Sequence, residues 1–263
     1  MKNILSHIHA DRPYFKSDAA GTQGNPIRQL YLSKLINSLK GQHIRLMEIG
    51  SWIGASALTF GFSMRQFDVS GGILCVDPWL PYFNEADIAQ GADYYETMNE
   101  MGKSDVAYKL FLHNVRFSPI SIQHQRGVSA EILPKLESNS FDVIYIDGSH
   151  YYDDVAFDLK ESDRILKIGG ILCGDDLELQ VSDGIDFNFA VANDSRDCLI
   201  DPNKKTFYHP GVTLAVNDFF HQPVSAHEGF WLMKKVGEGA YEPFPLDGYQ
   251  HIIPPHFAQE CIE

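Results

Sequence analysis

Clustered positive charge is missing from this chain: its 21 Lys and Arg stand against 35 Asp and Glu, a formal net charge of −14, and they form no long basic run. Phosphate backbones are bound by grouped cations, so nucleic acid is disfavoured and a small molecule or glycan is the expected partner. Long apolar runs are missing too. Met1-Lys2-Asn3-Ile4-Leu5 does not open a secretion signal, and nothing approaches the ~20 apolar residues of a membrane span. The expectation is a cytoplasmic protein with no membrane partner. Cysteine is scarce, with four residues lacking metal-ligand spacing. Cys75 and Cys173 sit inside apolar runs, where a buried thiol is expected rather than a disulfide. Repeats and low-complexity segments are absent, and homo-oligomerisation is left open.

What is present suits one large α/β domain. The 263 residues are 44% hydrophobic and 12% aromatic, enough for a single core with appendages. The division expected is a helical or irregular appendage over 1–40, a principal domain over 41–240 and a tail over 241–263. Asn25 and Pro26 can cap and open a helix through about Leu39. Apolar strands are predicted at Ile44–Ile49, Ile73–Val76, Ile120–Gln123, Phe141–Ile146 and Ile171–Cys173, the last after a Gly169-Gly170 turn. Helical spacing runs over Ala55–Met64, Ser129–Leu136, about Tyr152–Leu166 and Val212–Phe220, and Phe230–Met233 reads as a late strand.

Alternating strands and helices imply a Rossmann-like, mostly parallel seven-stranded sheet with helices on both faces and an antiparallel last strand. Ligands of such sheets lie beyond the carboxyl ends of the strands. Two connections, 78–118 and 177–210, exceed ordinary loop lengths and are read as candidate substrate covers. Trp79, Tyr82, Phe83, Tyr94 and Tyr95 in the first of them line an acceptor pocket or pack a core; both readings stand.

Acids cluster at those strand ends. Glu48-Ile49-Gly50-Ser51-Trp52-Ile53-Gly54-Ala55-Ser56 is a strand, a tight turn and a helix start, with Gly50 permitting close backbone approach. The three-glycine dinucleotide spacing is absent, which disfavours a nicotinamide cofactor. Asp77 ends the second strand, where an acid accepts from ribose hydroxyls or closes the Asp77-Pro78 turn. Asp147 ends the fourth strand and Asp175-Asp176 the fifth. Three carboxylates brought to one sheet edge repel, and a hard divalent cation such as Mg2+ relieves them. For Asp175 and Asp176 the plainer reading is a turn cap or a solvent-facing side chain. His150, three residues after Asp147, is placed to accept a proton from an alcohol.

Taken together these residues resemble the class I S-adenosylmethionine-dependent methyltransferases, and more narrowly the metal-dependent O-methyltransferases of catechol and macrocin type, over residues 44 to 235. The resemblance implies that Gly50 and Gly54 pack by the methionine part of adenosylmethionine and Ser56 reaches its carboxylate, that Glu48 and Ser51 also belong to the cofactor site, that Asp77 holds the ribose, and that Ser129, in Gly127-Val128-Ser129-Ala130-Glu131, lies by the adenine. It implies Asp147, also beside the cofactor, with Asp175 and Asp176 as ligands of Mg2+ or another divalent cation. Catechol-type enzymes carry Asp then Asn at the last two positions and a lysine base where this chain has His150. The macrocin-like pattern matches better and implies a sugar or other hydroxyl as acceptor, His150 as base and Asp147 beside it in catalysis. The segment Pro210–Phe220 also looks macrocin-like, after about thirty intervening residues. The rival expectations are a metal-independent methyltransferase and a non-catalytic adenosylmethionine-binding protein.

Overall fold

The computed structural model describes residues 11–15, 26–90 and 93–258. The cap assigned to Asn25, the segment Met1–Leu5 and Cys261 lie outside them. In chain order the elements are α1 (Pro26–Ser38), β1 (His43–Ile49), α2 (Ala55–Gln66), β2 (Ser70–Asp77), α3 (Glu85–Ile88), α4 (Asp93–Lys103), α5 (Val106–Val115) and β3 (Ser121–Arg126). There follow α6 (Ser129–Ile132), β4 (Phe141–Ile146), α7 (Tyr152–Ile165), β5 (Leu166–Leu177), α8 (Phe187–Val191), β6 (Leu199–Ile200) and β7 (Phe207–Tyr208). The chain ends with α9 (Pro210–Phe220), β8 (Ser225–His227), β9 (Gly229–Gly237), β10 (Ala240–Pro243) and α10 (Pro255–Ala258). The fold is α/β with a mostly parallel central sheet, as the alternation predicts. That sheet has eight strands rather than seven, because the antiparallel closure after β5 is three strands, β8, β9 and β10, instead of a pair.

Residue contacts divide the chain into two compact units, one of Met1–Ile44, Ser51–Arg126 and Leu246–Glu263, the other of Arg45–Gly50 and Gly127–Pro245. In the first, β2 and β3 pair in parallel from Gly72↔Ser121 to Asp77↔Arg126. Helix α2 is buried along most of its length, from Ala55 to Met64. Thr59 of α2 donates to Gln29 Oε1 of α1 at 2.6 Å. The late segment returns to α1, where Ile252 N–H donates to Ser33 Oγ at 3.0 Å and Gln250 N–H to Asn37 Oδ1 at 2.9 Å. Residues 78–118 are no open loop, since they contain α3, α4 and α5. Trp79 is 1% exposed, its ring centroid 4.6 Å from Phe111 and 4.9 Å from Tyr108, and Phe83 packs against the tilted ring of Tyr95 with centroids 4.3 Å apart. Packing is therefore what Trp79 and Phe83 do; Tyr94 is exposed.

In the second unit β1 and β4 run parallel with Leu46↔Val143 and Ile49↔Ile146, and β5 adds to β4 with Val143↔Ile171. These strands are apolar on both faces because both are covered. Leu46, Met47, Ile144, Leu172 and Cys173 are fully buried. Helix α7 buries Val155, Asp158, Leu159, Ser162 and Ile165, one stripe at helical spacing. Strand β5 is longer than its apolar centre suggests. Gly169 and Gly170, which read as a turn, lie inside it, and its pairing with β9 shifts register between Gly174 and Leu177. That irregularity carries Asp175 and Asp176, the latter at φ 63°.

Candidate active site

In the first unit the turn Ser51–Gly54 is built around Asp77. Ser51 and Trp52 donate their backbone N–H to Asp77 Oδ2 at 2.8 and 2.9 Å, and Trp79 N–H donates to Oδ1 at 2.5 Å. Burial raises the carboxyl above its usual range, while these backbone donors pull the other way. Both sequence readings of Asp77 thus have a physical basis. Its bond to Trp79 N–H is an Asx turn, and three of a carboxylate's roughly four acceptor sites are taken. Gly54 precedes α2 at φ 88°, and Ser56 is buried in the first turn, where backbone N–H groups lack intrahelical acceptors.

In the second unit Gly50 has φ 83°, and a Cβ there would lie 2.0 Å from the Asp147 carbonyl oxygen. Its close approach is to the turn after β4, which Asp147 N–H ties to Ile49 O at 2.8 Å. Glu48 is wholly buried on β1. Ser129 hydrogen-bonds the buried Asp158, whose carboxyl burial pushes up to about 7 against that bond.

Asp147 accepts from Tyr145 OH at 3.1 Å. Burial first, then the charges of Asp175 and Asp176, hold its carboxyl well above the ordinary range. Donor atoms of Asp147, His150 and Asp176 lie within 4.8 Å of one another. Among the described residues Asp175 joins no such cluster; its backbone oxygen accepts from Trp231 Nε1 at 3.3 Å, and its charge acts on Asp147 from the side. Asp176, at φ 63°, departs from the extended backbone where the β5–β9 register shifts, and the pair of acids divides there.

His150 is held at both nitrogens, Nε2 at 2.9 Å from Asp176 Oδ2 and Nδ1 at 2.7 Å from Asp197 Oδ1. Burial pulls its pKa down, but Asp176 and, against opposition from His209, Asp197 push it up to about 10. Held so, it carries a proton. His209 joins from 4.4 Å, ring centroid to centroid, with Nδ1 3.0 Å from Glu178 Oε2 and 3.8 Å from Asp176 Oδ1.

Glu178, Asp197 and His209 were not singled out in the sequence, and all come from the 177–210 connection. Its folding brings them in. Tyr152 N–H donates to Asp194 O at 2.9 Å, and a Cβ on Gly211 would lie 2.3 Å from His150 O and 2.7 Å from Asp194 O. A residue larger than glycine could not let the start of α9 sit so close. His209 is the residue before that helix, with Pro210 at its first position. His-Pro-Gly ahead of a helical pattern was the available signal.

Residues 47–177 match a family model described as a methyltransferase domain. That segment is a methyltransferase domain. The matched segment carries the Gly50–Gly54 turn, Asp77, Ser129, Asp147 and both acids of β5, and it bears out the likeness to methyltransferases that the motifs suggest. The chain is also 26% identical over 129 residues to a curated Sinorhizobium fredii protein described as uncharacterized protein y4gI. That match takes in 48% of this chain but only 12% of the longer protein. Solved structures similar to it include an O-methyltransferase from Bacillus cereus in complex with SAH, at 12% identity, with 88% of this chain and 87% of that one covered and a TM-score of 0.44. TomG from Streptomyces achromogenes, an O-methyltransferase in complex with SAM, is 13% identical, with 90% and 96% covered and a TM-score of 0.43. Among the described residues no helix is long and apolar enough to cross a membrane.

Proposed function

We propose that this methyltransferase transfers a methyl group from S-adenosylmethionine to a hydroxyl of a small molecule or sugar, with a divalent cation at Asp147 and Asp176 and His150 as proton acceptor. The observation that carries the reading is the mutual approach of Asp147, His150 and Asp176, with Asp175 adding a further negative charge. Buried carboxylates in this density suit a divalent cation. Bound there, a cation supplies the Lewis acidity that makes an acceptor hydroxyl acidic. Adenosylmethionine supplies an electrophilic methyl on sulfur.

The chain's own part is positioning and proton transfer. In the first unit Ser51, Gly54, Ser56 and Asp77 are the residues proposed to hold the cofactor; in the second, Glu48, Gly50, Ser129 and Asp147. Asp77 retains one free acceptor direction for a ribose hydroxyl beyond its three backbone donors. His150 becomes a base only when Asp176 leaves its Nε2. Asp197 then keeps the proton on Nδ1 and leaves Nε2 to accept, as a carboxylate does for a general-base imidazole. Collinear placement of sulfur, methyl and oxygen is the main source of rate, and no covalent enzyme intermediate is required.

One observation favours the metal-independent alternative: His150 already neutralises Asp176 through a 2.9 Å ion pair. Labelled-methyl transfer to a panel of sugar and phenolic hydroxyls separates the two. Loss of transfer on chelation, with recovery on adding back a divalent ion, supports the metal-assisted reading; transfer indifferent to chelation supports the alternative. Binding of the cofactor with no acceptor consumed would leave a non-catalytic binding protein.

A further inference from the structure

We propose that Asp176, Glu178 and His209 form a second divalent-cation position, adjoining that of Asp147 but separate from it, and suited to a transition ion rather than Mg2+. One oxygen of Asp176 faces His150; the other, Oδ1, faces His209 Nδ1 at 3.8 Å, and Glu178 Oε2 lies 3.0 Å from the same nitrogen. Donor atoms of Asp176, Glu178 and His209 lie within 4.8 Å of one another. Ligand atoms at roughly 2.0–2.2 Å from one ion stand about 3 Å apart, so the three close on a cation with movements of no more than about 1–2 Å. Their side chains are only 14%, 22% and 12% exposed, which limits competition from water.

The donor set decides the ion. Mg2+ prefers an all-oxygen octahedron and keeps its waters, whereas an imidazole beside two carboxylates suits Mn2+, Co2+ or Zn2+. The scaffold is stiff enough to hold such a site. His209 is pinned as the cap of α9, whose first turn is pressed against the backbone of His150 at Gly211. Asp176 is fixed by the bulge of β5, and its two oxygens then serve two neighbouring positions.

The position of Asp147 belongs to the proposed function; this one does not depend on it, and the test separates them. Co2+ is titrated into the full-length protein and followed by its visible absorption and by calorimetry, with Mg2+ as competitor. Wild type is expected to bind Co2+ with a ligand-field band that a tenfold excess of Mg2+ does not remove. His209→Ala and Glu178→Gln should each weaken Co2+ at least ~10-fold, and Asp147→Asn should retain it. Should His209→Ala fail to fold by circular dichroism, His209→Gln replaces it. Co2+ affinity unchanged in the His209 and Glu178 variants, or lost only in Asp147→Asn, overturns the second position and leaves the proposed site standing. Absence of any ion overturns both.

Discussion

Asp197 Oδ1 lies 2.7 Å from His150 Nδ1, so a residue of the 177–210 connection orients the histidine that follows β4. The connection is a wall of the site, and its carboxylate sets which imidazole nitrogen keeps the proton. Asp197→Asn is expected to lower kcat/KM about 10–100-fold. With the carboxylate gone the pKa of His150 falls, so the acidic limb of the rate profile moves to lower pH. An unchanged profile with a merely lower rate would mean that Asp197 only packs.

Chelated protein should lose stability as pH rises. His150 is pushed up to about 10 in the fold, against an ordinary value near 6.5. Its folded pKa being the higher one, its stabilising contribution is complete below the unfolded value and disappears as pH climbs through the folded one. His209 is raised as well, so it acts in the same direction. Melting temperatures of chelated protein are expected to decline between about pH 6.5 and 10, and less so for His150→Gln. A flat profile would contradict the His150–Asp176 pairing.

Asp147→Asn should separate stability from activity. The charged form is penalised by burial and by the charges of Asp175 and Asp176, whereas an amide keeps the acceptor for Tyr145 OH. Chelated Asp147→Asn is expected to be more stable than wild type by about 1–2 kcal/mol, while methyl transfer falls at least ~100-fold. Denaturant titration and turnover check both halves; a destabilised variant would argue against crowded charge at this position.

Gly50→Ala should be costly for a purely structural reason. Its Cβ would stand 2.0 Å from the Asp147 carbonyl oxygen at φ 83°, and positive φ alone costs about 1–3 kcal/mol. A loss exceeding roughly 3 kcal/mol in denaturant titration is expected once the collision is added.

The elements the sequence announces best are those with unbroken apolar runs. The sequence pattern and the structure agree to the residue at Phe141–Ile146, and within a few residues at β1, β2 and α7, because buried parallel strands and a one-faced helix leave clear periods. Strand β5 is longer than its pattern predicts because Gly169-Gly170 has the chemistry of a turn, although the strand runs through it. The same strand's register shift is invisible in composition, so Asp175 and Asp176 read as a matched pair while only Asp176 reaches the imidazoles. Asp147, His150 and Asp176 were legible as residues of strand ends. Glu178, Asp197 and His209 were not, because irregular chain and a single glycine contact at Gly211 deliver them, and neither leaves a period to read.

Calorimetric titration of S-adenosylmethionine, with and without a divalent cation, into wild type and Asp147→Asn/Asp176→Asn is the most direct test of metal-assisted methyl transfer at this site. Wild type is expected to bind both cofactor and cation, and the double variant to lose the cation while still binding the cofactor, more weakly for want of the Asp147 carboxylate. A wild type that binds cofactor but no divalent ion would contradict metal-assisted transfer, and the roles given to Asp147 and Asp176 would fall together.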